Sequence, residues 1–204
     1  MAQATRLTRR EQFSMETRRI IFETAMELFA ERGYDSVTVD DICEKAGVAK
    51  STFYNLFKSK NQIIVEEFLK IDGYYEEVLK KIQKKKKSNV DKMIEFINLT
   101  LKYIDDQGID TIKVTYHSQI GPSLTGSPVA SSQRPLYKIV EGLIKDAQDV
   151  GEVRNDISAA ELTETIVQGT RGVVYDWCLQ NGSFDLLKAG GRYLKVVLDG
   201  LRRK

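Results

Sequence analysis

The chain has 204 residues, 42% hydrophobic and 29% charged, with 31 Lys and Arg against 29 Asp and Glu. That length allows one or two domains with a sizeable core, and a net charge of +2 excludes a bulk polycation, so nucleic-acid binding would need a local basic patch. No apolar run reaches the roughly 18 residues that read as a membrane span, and no signal-peptide core is visible, so a cytoplasmic protein is expected, with Cys43 and Cys178 as reduced structural thiols.

Three prolines and long segments of helical period predict an all-α protein. Met1 to Ser14 lacks an apolar period and carries Arg6, Arg9 and Arg10. It reads as a basic tail or as an arm for phosphate or an adjacent minor groove. Met15 to Arg32 is an amphipathic helix through Ile21, Ala25, Leu28 and Phe29, and Gly33 ends it. Arg18 and Arg19, near its start, read equally as phosphate contacts or as solvated charge.

The stretch from Thr38 to Phe57 reads as two short helices around a tight turn. Thr38 and Asp41 form a capping-box pattern, with Val37 and Ile42 as its hydrophobic staple. Gly47 stops the first helix. In the second, Phe53, Leu56 and Phe57 share an inward arc, whereas Lys50, Ser51, Tyr54 and Asn55 share the outward one. A short helix with a small, polar, partly basic outer face after a glycine turn is the pattern of a recognition helix.

Ser59 caps the next helix, with Lys60 in its first turn, where a lysine opposes the helix dipole and an anionic partner would relieve it. This helix runs through Ile82 and is long enough to enter a second domain. The basic run Lys80 to Lys87 reads as a solvated helix end and linker. It lies about 25 residues, or roughly 35 Å if helical, beyond the recognition helix. Helices are then predicted over Val90 to Asp106, Ile109 to Gln119, Pro135 to Val150, Ala159 to Gln180 and Phe184 to Leu201. Ser158 and Glu161 form a second capping box. Gly169 and Gly172 permit close helix approach, and Gly121 to Gln133, rich in Pro, Gly and Ser, reads as a loop.

The pattern Ala25, Leu28, Phe29, Gly33-Tyr34, Thr38, Ile42, Ala46-Gly47-Val48, Thr52-Phe53-Tyr54, Phe57 and Lys60 resembles the DNA-binding segment of TetR-family transcriptional regulators, over about Thr17 to Phe68. Two positions depart from it. Ala49 stands where the family usually has a capping serine, and Leu56 stands where a His or Tyr commonly helps hold a phosphate.

The resemblance implies a three-helix DNA-binding domain (15–75, motif 38–57) and a larger helical domain for effector binding and dimerisation (76–204), about nine helices in all. Lys50, Ser51 and Thr52 are expected at base edges. Thr38, Tyr54, Asn55 and Lys60 are expected at phosphates. The implied partners are double-stranded DNA with a pseudo-palindromic operator, a second copy joined through the last two helices, and a small-molecule effector of unknown identity. Val173, Trp177, Tyr193, Leu194 and Val197 are candidates for the dimer contact. Neither a cofactor nor a membrane is expected. Tyr75, Phe96, Tyr103, Tyr116, His117 and Trp177 are candidates for lining a ligand cavity. His117 is the only histidine, and no nucleophile or further ligand is patterned around it for catalysis or metal binding. The favoured reading is therefore a ligand-responsive repressor rather than an enzyme. Activation, control by a partner protein, and a ligand-binding protein of the same fold that has lost operator binding remain as alternatives.

Overall fold

The computed structural model describes residues 8–119 and 130–202, apart from the Glu67 side chain. Nine α-helices run through them: α1 (Arg9–Arg32), α2 (Val39–Ala46), α3 (Lys50–Leu56), α4 (Lys60–Gln83), α5 (Asn89–Asp106), α6 (Ile109–Gln119), α7 (Pro135–Asp149), α8 (Ala159–Leu179) and α9 (Leu186–Leu201). The only extended pairing among the described residues is an isolated bridge between Val153 and Arg202. Among them, too, no helix is long and apolar enough to cross a membrane. The loop expected over Gly121 to Gln133 lies mostly outside the described residues.

The first helix begins earlier than its apolar period suggests. Thr8 caps it: its Oγ1 accepts from the Glu11 N–H at 3.3 Å, and the Glu11 carboxylate accepts from the Thr8 N–H at 2.7 Å. Arg9 and Arg10, expected in a tail or arm, therefore lie in a helical first turn. Phe13 and Met15 are exposed there, 74% and 59%, which is why no buried stripe marks this part of the helix. Arg6 lies outside the described residues.

The two expected capping boxes form at Thr38–Asp41 and Ser158–Glu161. Hydrogen bonds from the cap hydroxyls, then from the cap backbone, hold both carboxyls below their ordinary range. The caps thus support the helices above that range. Their contribution fades as the pH falls through the lowered values.

Two hydrophobic cores result. The smaller gathers Ile21, Leu28, Phe29, Ile42, Phe53, Phe57, Ile63 and Ile64, all at most 3% exposed. The larger is built on α4 from Ile71 onward, with Phe96, Leu101, Val140, Ile166, Leu194 and their neighbours from α5 and α7 to α9. The 24-residue helix α4 serves both. So does α6, which sends Val114 into the smaller core and Ile112 into the larger. Cys43 and Cys178 are separate buried thiols. The lysine run ends α4 as expected, and Lys85 and Lys87 pair with Glu95 of α5.

Gly169 permits close packing as expected, since a Cβ there would fall 1.7 Å from the Tyr193 Oη; Gly172 faces open space. A second close approach is at Gly190 on α9, where a Cβ would sit 2.2 Å from Cδ1 of the fully buried Leu101. At Gly191 the nearest atom would be Asn98 Oδ1 at 3.9 Å. These adjacent glycines should therefore respond oppositely to alanine. Gly191→Ala should stabilise by up to about 1 kcal/mol through helix propensity. Gly190→Ala should show a net loss on the order of 1 kcal/mol, because overpacking of roughly 1–3 kcal/mol outweighs the same gain. Chemical denaturation of the two variants checks the pair of signs.

Candidate functional site

Gly47 makes the turn between α2 and α3 with φ 66° and ψ 32°, a left-handed conformation that suits glycine. The turn closes through the Gly47 N–H on the Glu44 carbonyl (3.2 Å) and the Val48 N–H on the Cys43 carbonyl (3.0 Å). Helix α3 has no side-chain cap at Ala49. It is fixed instead by Phe53, which is fully buried, and at its far end by Arg18. The Arg18 guanidinium lies 4.2 Å from the Phe57 ring centroid, donates to the Leu56 carbonyl at 2.5 Å, and pairs with Glu66 of α4. Arg18, weighed as a phosphate contact, is thus a brace behind the recognition helix. Arg19 pairs with Glu16 and Glu23 along α1.

The outward face of α3 is as expected: Lys50, Ser51, Tyr54 and Asn55 are exposed, and Thr52 is half-buried. Lys50 reaches back across the turn to Asp40, at 2.6 Å. Thr38 is exposed, with both its hydroxyl and its N–H engaged by Asp41.

Lys60 is placed differently from the expected phosphate contact. Its Nζ donates to the carbonyls of Tyr34 (2.7 Å) and Val37 (2.8 Å), approaches that of Asp35 (3.4 Å), and sits 4.3 Å from the Tyr34 ring centroid. The lysine at the start of α4 thereby closes the α1–α2 turn. Burial lowers its pKa, opposed by the charge of Asp35, and the carbonyls favour the charged form. Helix α6 meets the same turn: His117 Nε2 lies 2.7 Å from Asp35 Oδ2, and its ring sits edge-on to Tyr34.

Behind α6 lies a cavity of about 480 Å³, part of it open to solvent. Its wall includes Tyr75 of α4, Thr100 of α5, Tyr116 of α6, Arg134 ahead of α7, and Thr170 and Arg171 of α8. A smaller space of about 400 Å³, also partly open, adjoins it and shares Phe68 and Ile104 as a partition. That space reaches Met26 of α1 and Ile64 of α4. Arg134 is 6% exposed and forked onto Asp72, with Nη2 at 2.7 Å and Nε at 3.2 Å; its guanidinium lies 4.8 Å from the Phe68 ring centroid. Burial pushes the phenols of Tyr75 and Tyr116 well above the ordinary tyrosine value.

Of the six residues expected to line a cavity, Tyr75 and Tyr116 line the larger space and Tyr103 the smaller. The other three are elsewhere. Phe96 is buried against Tyr75, with ring centroids 5.8 Å apart. His117 is exposed and bound to Asp35. Trp177 is buried near Gly182. The arginines and threonines of the wall went unread, because single polar residues in helical segments resemble solvent-facing ones. Arg134 had a usable signal in its place directly before Pro135, where the chain enters α7.

A helix-turn-helix with a braced, polar recognition face on a larger helical body defines a DNA-binding transcriptional regulator as its class. Residues 21–66 match the model of the bacterial regulatory proteins of the tetR family. The fatty acid metabolism regulator protein of Bacillus subtilis (strain 168) is 22% identical over 185 residues, covering 90% of this chain and 95% of that protein. The HTH-type transcriptional repressor KstR2 of Rhodococcus jostii (strain RHA1) is 28% identical over 189 residues, covering 89% of each. The crystal structure of Thermus thermophilus FadR, a TetR-family repressor in complex with lauroyl-CoA, matches with a TM-score of 0.72 at 21% identity, covering 92% of this chain and 96% of that one. Residues 21–66 thus carry a DNA-binding segment of the tetR-family kind, and the relatives that match over most of this chain's length are transcriptional regulators.

The clasp at Lys60 carries its own expectation. Lys60→Met keeps the apolar stem and removes the donors, and should cost on the order of 1–2 kcal/mol. Amide exchange should rise first in residues 33–37 of the variant. Unchanged exchange there would show that the ammonium does not hold the turn.

Proposed function

We propose that the protein is a repressor that binds a pseudo-palindromic operator as a homodimer and releases it when a small, largely apolar molecule fills the cavity behind α6. The observation that carries this reading is the position of α6. One short helix puts Tyr116 in the cavity wall, Val114 in the core beneath the helix-turn-helix, and His117 on Asp35 of the α1–α2 turn. A ligand that displaces Tyr116 moves the other two with it, and α4 offers a second, rigid connection. Such a ligand acts only through its preference for the state that is off the DNA. The B. subtilis FadR complex with stearoyl-CoA, a neighbour with a TM-score of 0.72 at 20% identity, supports long-chain acyl compounds as the first effectors to try.

In this reading the chain divides within α4, between the residues of its two cores. Lys50, Ser51 and Thr52 read bases, and Tyr54 and Asn55 hold phosphates. Lys60 acts through the turn it clasps. The dimer forms through α8 and α9. Trp177 and Leu194 are in the protomer's own core, 6% and 1% exposed, so the pairing face falls to Tyr175, Leu179 and Val196, with Val173 and Val197 at its edge. The exposure of those three, at 41%, 63% and 69%, supports a partner there.

Selection of genomic fragments with the purified protein, followed by binding curves at several salt concentrations, tests the reading. A palindromic consensus with affinity falling steeply in salt is expected. On that operator Lys50→Ala should cost about 1–3 kcal/mol. Asp40→Asn should tighten binding, because it removes the anion that holds Lys50 in the free protein. Weak, sequence-independent binding with neither effect would overturn the assignment.

A further inference from the structure

Among the described residues, only two buried side-chain polar atoms lack a hydrogen-bond partner: Oγ1 of Thr100 and Oγ1 of Thr170. Both belong to the wall of the same cavity. Helical threonines commonly bond the carbonyl one turn back. Thr17, Thr115, Thr163 and Thr165 do so here, at 2.7 to 3.0 Å. Thr100 and Thr170, 3% and 8% exposed, make no such bond, and both belong to the wall of this one cavity, from helices α5 and α8.

The charge of this wall is also unbalanced. Arg134 is matched by Asp72. Arg171, next to Thr170, has only the Tyr137 hydroxyl at 3.3 Å and no carboxylate among the described residues. Residues 120–129, which lead toward Arg134, contain neither Asp nor Glu. A half-buried cation with no counter-ion among the described residues, beside two buried donors and the protonated Tyr116 phenol, is an arrangement for one negative charge. The rest of the lining is hydrocarbon and aromatic.

We propose that this cavity is built for a carboxylic acid with an apolar body, its carboxylate held by Arg171 and by the hydroxyls of Thr100 and Thr170. This rests on the ligand-responsive reading above and narrows the class of ligand. The two oxygens of a carboxylate accept from the guanidinium and from the two hydroxyls together. A thioester carbonyl or an alcohol offers one oxygen and leaves the charge of Arg171 unmatched.

The test is calorimetric titration of the full chain with straight-chain and phenyl-substituted alkanoates, with the alcohols of the same bodies and with their CoA thioesters. At least one acid should bind about tenfold or more tightly than its alcohol and its thioester. Arg171→Met should erase that preference. Thr100→Val and Thr170→Val should weaken the acid severalfold without lowering the melting temperature, since each removes only an unpaired hydroxyl; a merely structural role would lower it. The proposal is overturned if no acid binds, if alcohol or thioester binds as well as the acid, or if Arg171→Met leaves the preference in place. Operator binding is measured alongside. A thioester or alcohol that binds and releases DNA would leave the ligand-responsive reading standing while the carboxylate assignment fails. An acid that binds through Arg171 without affecting operator affinity would do the reverse.

Discussion

One ammonium group closes the structural arrangement on which the recognition helix depends. The turn from Gly33 to Val37 has no regular partner for the carbonyls of Tyr34 and Val37, and Lys60 supplies one from the start of α4. Without that contact the α1–α2 connection would be free of the helix that carries its position into the rest of the protein. Around it the smaller core is complete: Phe53 and Phe57 from α3, Ile63 and Ile64 from α4, and Ile21 and Phe29 from α1. The uncapped start of α3 at Ala49 is tolerable because burial of Phe53 and the Arg18 brace fix the helix from behind. Hydrophobic packing does here what a capping hydroxyl does in related sequences, and a buried aromatic is worth more than the roughly 0.5–2 kcal/mol of a cap.

The same turn is where helices from the two cores meet. Asp35 faces His117 with its side chain and Lys60 with its carbonyl. Helices α4 and α6 thus converge on a five-residue segment whose position sets the angle between α1 and α2. The partition of Phe68 and Ile104 lies between the larger cavity and the space reaching Met26 of α1. The wall nearest a ligand is therefore a few side chains from the first helix of the DNA-binding unit. Coupling needs only small displacements of packed groups, because close-packed interiors pass strain on and do not absorb it.

Much of this was legible in the sequence, and the reasons are local. Capping boxes are written within four residues, so Thr38–Asp41 and Ser158–Glu161 could be read directly, as could the polar and buried arcs of α3. Thr8–Glu11 is written in the same code but stands before a turn whose apolar residues face solvent, so no buried stripe marks it in the sequence. Contacts between distant segments were illegible. His117 and Asp35 are 82 residues apart, and nothing in a helical period says which of six aromatics faces a cavity. Lys60 was read for its charge and found in a role set by reach: a lysine stem long enough to span a turn. Arg134, Arg171 and the two threonines carry no pattern at all until three helices bring them together.

The single tryptophan has a consequence of a different kind. Trp177 is buried at the end of α8, its indole near Gly182, which in turn abuts Ile109 at the first residue of α6. Nature has placed the one strong near-ultraviolet chromophore of this chain against the root of the helix that joins cavity to DNA-binding unit. Its emission depends on local polarity and packing, so the unlabelled protein carries its own optical gauge of α6. A rocking of that helix on the microsecond to millisecond scale could be followed by relaxation of the native fluorescence alone, in real time and without a dye on the surface.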